Sequence, residues 1–315
     1  MLLAAELQKE FCVSELNVEG VNNSSVNKFV MREKLASKSY SVQTIAVDVS
    51  SLKAFARSLE GFIFPCVVKP NRGVNSLGVY KIDSQLEIPK IFNEIKIQDF
   101  PEDLDFQAEE YFGGQMYSAD GFVLNSQFSE ILLTRQYLGP EPQFTLETTL
   151  AGFVGWNSIR DQYKDIIQDV LRTLGFNNTL FHMEFKIQNG EFKLIEVAAR
   201  SAGGPILRGY DRALGVNLPL AFLSSMFNLA YKIQPQNKGV LVMHAEYAKS
   251  DFVLQKLENN SPIELLDFIP LSEIGKEVTG YPNKPDALYV ANFFAQNQSD
   301  PIGDLKRVKK NISFK

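Results

Sequence analysis

The sequence predicts a mixed α/β chain, α+β in character, with more than one lobe and largely antiparallel sheets. Three observations carry this: a β-hairpin around Asn189-Gly190 that follows an amphipathic helix, a strand, glycine loop and strand from Phe64 to Ile82, and a run of strands with short turns from Asp105 to Tyr137. At 315 residues the chain exceeds one average domain and can bury more than one core.

In chain order, Leu3, Leu7 and Phe11 already stand at helical spacing with no capping residue before them, so the chain reads as beginning inside a helix. Met1-Leu2-Leu3 lacks the charged start and cleavage site of a signal peptide. Ser24-Ser25 can cap a basic helix, VNKFVMREKLAS, on which Lys28 and Arg32 share one face. By itself that face reads most simply as solvated. Gln43 to Val47 is a short strand, and Ser50-Ser51 caps a helix from Leu52 to about Leu59.

The stretch FPCVVKPNRGVNSLGVYKI places Lys69 at a strand end and Gly73 and Gly78 in the loop that follows. Small residues let backbone N–H groups approach phosphate oxygens, and a neighbouring lysine supplies the charge. Val79 and Tyr80 stand where a Walker A loop requires Lys and Ser/Thr, and the next element reads as strand, so this is neither a P-loop nor a dinucleotide fingerprint. A plain glycine-containing hairpin is the alternative. DFQAEEYF, Gly113-Gly114 and the strands at 115–124 and 127–137 read as an antiparallel meander, and Leu138 to Leu150 as a loop over a cleft. Asn157 to Gly175 is a helix with a stripe of Ile159, Tyr163, Ile166, Ile167, Val170 and Leu174. After the hairpin come helices at 206–214 and 218–231, strands near 240–247 and 287–295, and a last helix from Ile302.

The hairpin FHMEFKIQNGEFKLIEVAAR carries the acids. His182, Glu184 and Lys186 share one strand face, and Met183, Phe185 and Ile187 share the other. If Ile195 and Val197 continue the apolar face, Glu196, Ala198 and Arg200 lie beside Glu184. That needs an odd loop such as a three-residue turn with Gly190 left-handed, because a two-residue type I′ turn would separate the carboxylates. Two adjacent carboxylates with no sulfur nearby suit Mg²⁺ or Mn²⁺, and an exposed acidic hairpin is the alternative.

A net charge of −5 and a pI near 5.3 argue against nucleic acid as a partner. Cys12 and Cys66 read as reduced thiols of a cytoplasmic protein. The most apolar run, Leu218 to Ile233, is too polar and short to span a bilayer, so no membrane partner is expected.

In combination, FPCVVKPNRGVNSLGV, EEYF with GGQMYSADGFV, and HMEFK with LIEVAAR, in this order, resemble the ATP-grasp superfamily, most closely its carboxylate–amine ligase branch. The resemblance runs from about Lys28 to the end. It implies two α+β lobes clasping ATP: residues 1–27 as a remnant of a linker or N-terminal domain, 28–104 as the small lobe with a lid at 71–78, and 105–315 as the large lobe with a C-terminal extension. Lys28 and Lys69 would neutralise phosphates, Gly73, Ser76 and Gly78 would belong to the lid, and Glu109, Glu110 and Phe112 to the nucleotide-reading hinge. There backbone groups of Glu110 and Phe112 would read the adenine edge, and an acidic side chain would hold an amine or a ribose hydroxyl. Glu184 and Glu196 would hold Mg²⁺ or Mn²⁺, Arg200 and Lys69 would act in catalysis, and Gly203 and Gly204 would admit the substrate carboxylate. Ala198, where many relatives carry Asn, points to the amino-acid-ligase variant.

The implied activity is ADP-forming C–N ligation of a small carboxylate and an amine, both expected to be amino acids, through an acyl phosphate. The alternative is a non-catalytic ATP-binding module that needs a partner chain. Relatives begin with a further doubly wound domain, so a separate chain supplying it, or a homodimer, is an expected partner. Specificity is expected in the 138–150 loop, at Arg208 and Tyr210, and around His244 and Glu246. His182 is either a proton shuttle or simply paired with an acid.

Overall fold

The computed structural model describes residues 27–73, 77–98, 100–101, 103–139, 144–229, 231–280 and 285–315. The readings at Leu3 to Phe11, Cys12, Ser24-Ser25 and Ser76 therefore lie outside the described residues.

The first half of the chain supplies helix α1 (Lys28–Lys34), β1 (Thr44–Val47), α2 (Leu52–Ser58), β2 (Cys66–Pro70), β3 (Tyr80–Ile82), α3 (Ile88–Ile97), β4 (Phe106–Glu110), β5 (Gln115–Leu124), β6 (Gln127–Phe128), β7 (Leu132–Leu138) and β8 (Leu146–Ala151). Then follow α4 (Trp156–Thr173), β9 (Thr179–Gln188), β10 (Glu191–Ala198), α5 (Gly204–Leu214), α6 (Leu218–Met226), β11 (Leu241–Tyr247), β12 (Phe252–Val253), β13 (Leu257–Asn259), β14 (Asp267–Pro270), β15 (Glu277–Val278), β16 (Ala287–Phe294), α7 (Pro301–Lys310) and β17 (Ile312–Phe314).

Among the described residues, two sheets dominate, and every strand pair is antiparallel. A small sheet runs β1-β4-β2-β3. A large one runs β10-β9-β5-β7-β8-β11-β16-β14, with β6 on β5. Each has its own core. Under the small sheet, α2 and α3 bury Phe55, Leu59, Ile88, Ile91 and Ile95 against Val68, Ile82 and Phe106. The Ile88, Ile91, Ile95 spacing of α3 puts all three on one face, and its Pro89 sits in the first turn, where no N–H partner is needed. Cys66 is buried in this core, and burial pushes its thiol up to about 12, so it stays protonated and inert.

Three expectations change. The strand Phe106–Glu110 pairs with β1 and β2, so the break between sheets falls between Glu110 and Gln115, later than a division at 104/105, and the meander comprises β5 and β7 without it. Met31, Leu35 and Tyr40 join the large core, so α1 packs its apolar side on the large lobe while Arg32 reaches β4 of the small one. The supposed loop at 138–150 contains β8, which threads between β7 and β11. Its threonines give it a polar look but suit a pleated surface. The N-cap of α1 is Asn27, whose Oδ1 accepts from the N–H groups of Phe29 and Val30.

The hairpin β9–β10 is closed by Asn189 and Gly190, both left-handed, with Gln188 opposite Glu191. This is the two-residue turn that should have separated the acids. A β-bulge between Leu194 and Glu196 corrects the register, so that Leu194 faces Phe185 while Glu196 faces Glu184. Without it Glu196 would pair with Met183 and point into the core. Ile195 accordingly lies on the cleft side, not on the apolar face, which is carried by Phe192, Leu194 and Val197. Beneath, Phe192 and Phe185 stack with centroids 4.4 Å apart, Phe185 stacks on Tyr117, and Tyr163 of α4 donates to Gly190 O at 2.9 Å.

Two glycines differ in what they require. Gly114 has φ +93°, and a Cβ there would lie 2.4 Å from Ile187 O, whereas Gly190 at φ +82° has open space around it. Gly114→Ala is expected to cost about 3 kcal/mol or more, against about 1 kcal/mol for Gly190→Ala. Urea midpoints of the two variants check this, and a reversed order would contradict the hairpin geometry.

Candidate active site

Between the two sheets lies a cleft of about 670 Å³. One wall is the small sheet, with Val67, Lys69 and Glu110 to Phe112. The other is the large sheet, with Met116, Gln136, Glu184, Lys186 and Glu196. Of the residues singled out from sequence, Lys28, Lys69, Gly73, Glu109, Glu110, Phe112, Glu184, Glu196, Arg200 and Gly203 all line it.

On the basic face of α1, Lys28 lines this cleft and Arg32 is buried beside it, so the face is not simply solvated. Arg32 is 2% exposed and grips Glu109 with both ends of its fork, Nε to Oε1 at 2.7 Å and Nη2 to Oε2 at 3.1 Å. The same Nη2 donates to Ile195 O at 3.0 Å, the carbonyl of the bulge. Lys69 Nζ meets Glu109 at Oε2, the oxygen it shares with Arg32 Nη2, at 2.8 Å. Burial pushes the Glu109 carboxyl up, but Arg32 and Lys69 outweigh it and hold the group down at about 2. Burial together with Arg32 and Lys28 lowers the Lys69 ammonium against the pull of Glu109. Of the two hinge acids expected to offer a side chain to an amine or ribose hydroxyl, Glu109 is therefore already engaged. Its carboxylate is committed to two cations, and the acid next along the hinge is Glu110.

Lys28 lies one turn before Arg32. Its Nζ is 3.4 Å from Glu196 Oε2 and donates to Gly73 O at 3.2 Å, so it joins a metal-type carboxylate to the loop after β2. Burial raises the Glu196 carboxyl, but Lys28, Lys69 and His182 together hold it below its ordinary value, so it is ionised. Glu184 and Glu196 face each other across β9 and β10. Among the described residues no group of three or more His, Cys, Asp or Glu is arranged to hold a metal ion. Two oxygen donors on a cleft wall, already beside a cation, fit Mg²⁺, which takes its other ligands from water and phosphate.

Behind this pair is a relay that sequence reasoning missed. Asp120, fully buried on β5 and opposite His182, accepts from His182 Nδ1 at 2.9 Å and from Tyr210 Oη at 2.7 Å. His182 Nε2 lies 3.6 Å from Glu184 Oε1. Burial opposes the imidazolium, but Asp120 and Glu184 prevail and raise its pKa to about 10. The main partner of His182 is thus Asp120, whose signal in the sequence was a lone acid inside an apolar strand. Tyr210 belongs to this relay and is removed from the cleft. His244 and Glu246 are also no specificity pair: they form a buried cluster with Thr148 and Lys309, on the side of the sheet away from Thr149 and Tyr247, which line the cleft. Arg208 is exposed and does not line the cleft.

At the hinge, Lys186 donates to Phe112 O at 2.9 Å and lies 4.9 Å from the Tyr111 ring centroid and 5.9 Å from that of Phe144. Arg200 is exposed at the cleft mouth and donates to Ser201 O at 2.8 Å. Gly78 does not line the cleft. Its φ of +75° and a Cβ position 2.6 Å from Phe100 make it a packing glycine.

Two lobes of antiparallel sheet thus enclose a cleft lined by lysines and paired carboxylates. Residues 62–208 match the model of the ATP-grasp domain. The chain is 27% identical over 191 residues to dapdiamide A synthase of Enterobacter agglomerans, a match covering 56% of this chain and 43% of that protein, so it spans less than half of that relative. The L-amino acid ligase from Bacillus licheniformis superposes with a TM-score of 0.79 at 14% identity, covering 99% of this chain and 77% of that one. The biotin carboxylase domain of Hydrogenobacter thermophilus 2-oxoglutarate carboxylase, solved with MgADP and bicarbonate, gives a TM-score of 0.65 at 12% identity, covering 99% and 71%.

Glu109→Gln would leave Arg32 and Lys69 buried without their counter-charge, and is expected to cost about 3–5 kcal/mol near neutral pH. Because the Glu109 pKa falls from 4.5 to about 2 on folding, its contribution is present above pH 4.5 and lost as pH falls toward about 2. The stability gap between wild type and variant in urea titrations should be flat above pH 4.5 and narrow below it. A gap that persists in acid would contradict the ion triad.

Proposed function

We propose that this protein is an ATP- and Mg²⁺-dependent ligase that joins a small carboxylate, an amino acid, to an amine and releases ADP and phosphate. The observation that carries this reading is the convergence of Lys28 and Lys69 on the Glu184–Glu196 wall of one cleft. The match to the ATP-grasp domain model and the likeness to a dapdiamide synthase and an L-amino acid ligase support it.

In this reading one carboxylate oxygen of the substrate attacks the γ-phosphorus, the bond to the β–γ bridging oxygen breaks, and ADP leaves. The amine nitrogen of the second substrate then attacks the acyl carbon, loses a proton, and phosphate departs. The magnesium ion, held by Glu184 and Glu196, would neutralise charge on the β- and γ-phosphates. No protein nucleophile is required, and the chain's own work is placement and charge. Lys28 would exchange Glu196 for phosphate oxygen, keeping its bond to Gly73 O and so drawing the loop after β2 over the nucleotide. Lys69 would face the phosphates from a position fixed by Glu109. Arg200 at the cleft mouth would meet the anionic acyl phosphate, and the start of α5 at Gly203-Gly204 would orient the substrate carboxylate.

Glu196→Gln tests the reading. ADP release with ATP, Mg²⁺ and pairs of amino acids should fall by about 10²-fold or more, while stability changes by less than about 1 kcal/mol because the Lys28 pair is partly exposed. Turnover equal to wild type in a folded variant would sink the proposal. ATP binding without any ADP release by the wild-type chain would favour a non-catalytic module.

A further inference from the structure

Gln136 on β7 is 1% exposed and lines the cleft, yet neither its Oε1 nor its Nε2 has a hydrogen-bonding partner among the described residues. Its backbone is fully engaged by comparison: the carbonyl accepts from Gln115 Nε2 at 2.6 Å, and the strand pairs on both sides. An amide buried with both functions unpaired costs about 1–3 kcal/mol per group. A core position on a central strand would be better filled by an apolar residue unless something in the cleft supplies a donor and an acceptor together.

The surroundings say what that something is. Across the sheet, Gln136 has Met116 on one side and Thr149 on the other, and Leu138 and Leu146 also line this part of the cleft. The nearest cleft-facing charge in its row, Lys186, stands beyond Met116 and is held at the hinge by Phe112 O. One step along β7, Thr134 is closed off by its 2.7 Å bond to Ser118. The subsite is therefore polar but uncharged, with apolar walls, and a charged group entering it would lose its hydration without gaining a counter-ion. From the strand spacings, Gln136 lies two strands across and one same-face step along from Glu184, roughly 12 Å between Cα atoms. That gap suits a substrate whose reacting end is at the carboxylates and whose far end reaches the amide.

Building on the ligase reading, we propose that Gln136, with Thr149 beside it, is the specificity-determining floor of a substrate subsite, and that the substrate bound there carries a neutral polar group able to donate and accept, a carboxamide or hydroxyl. A site built to pair such a group discriminates strongly against an apolar isostere, because its own amide is then left unpaired.

The test is calorimetry on the full chain with Mg²⁺ and a non-hydrolysable ATP analogue, titrating L-asparagine, L-glutamine and L-serine against L-leucine, L-methionine and L-glutamate. Wild type should bind at least one neutral polar amino acid on the order of tenfold more tightly than its apolar or acidic counterpart. Gln136→Met, close in shape but apolar, should erase that preference while leaving affinity for the ATP analogue unchanged. Absence of the preference in wild type overturns the proposal without any variant. So does a preference that survives in Gln136→Met, and so does a loss of analogue affinity in that variant, which would assign Gln136 to the nucleotide. ADP release measured in parallel separates the two readings: binding preference with no turnover would defeat the ligase reading while leaving the subsite in place.

Discussion

The bulge at Ile195 is a one-residue constraint on which the arrangement of the cleft depends. A two-residue turn fixes the start of β10, and strict alternation from there would send Glu196 inward among Phe185, Met183 and the aromatic stack. An ionised carboxylate cannot be left there unpaired. The extra residue turns Glu196 to the cleft and returns Val197 to the core, satisfying both faces at once. Its cost, an interrupted ladder, is met from outside the hairpin, since Arg32 donates to the Ile195 carbonyl that the bulge exposes.

Around that point the charges form a graded series. Arg32, Glu109 and Lys69 are nearly fully buried and pair with one another, whereas Lys28, Glu184 and Glu196 keep part of their surface open to the cleft. The buried set is fixed by its mutual pairing, and the open set can change partners. A cleft that takes up an anion with its counter-ion needs both: preorganised charge that requires no rearrangement, and charge that can be traded. The Tyr210–Asp120–His182 relay extends the fixed set to the far side of Glu184, so the outer carboxylates rest on a rigid backing.

Much of this was legible in the sequence, and the limits follow from distance along the chain. The alternation of His182, Glu184 and Lys186 against Met183, Phe185 and Ile187 is local, and it placed the cleft face of β9 correctly. The turn was misjudged because register was inferred from its endpoint, the meeting of two acids, and a bulge stabilised by a residue 163 positions away leaves no local trace. Strand order was equally hidden: nothing in DFQAEE says that it pairs with β1 and β2 instead of its immediate successor. Asp120 and Gln136 sit in stretches that otherwise read as β-strand, where a polar residue on a buried strand is the one available hint of a site. His244 and Glu246 offer the opposite lesson, since the same hint led to a buried structural cluster facing Lys309.

The guanidinium of Arg32 touches α1, the small sheet through Glu109, and the large sheet through Ile195. Any swing of one lobe against the other that keeps these contacts must turn about an axis passing through it. Lys69, bound to the same carboxylate, then lies close to that axis and sweeps through a short arc. The small sheet can turn while that ammonium barely moves, so a range of lobe angles is compatible with one fixed distance between Lys69 and the carboxylate wall.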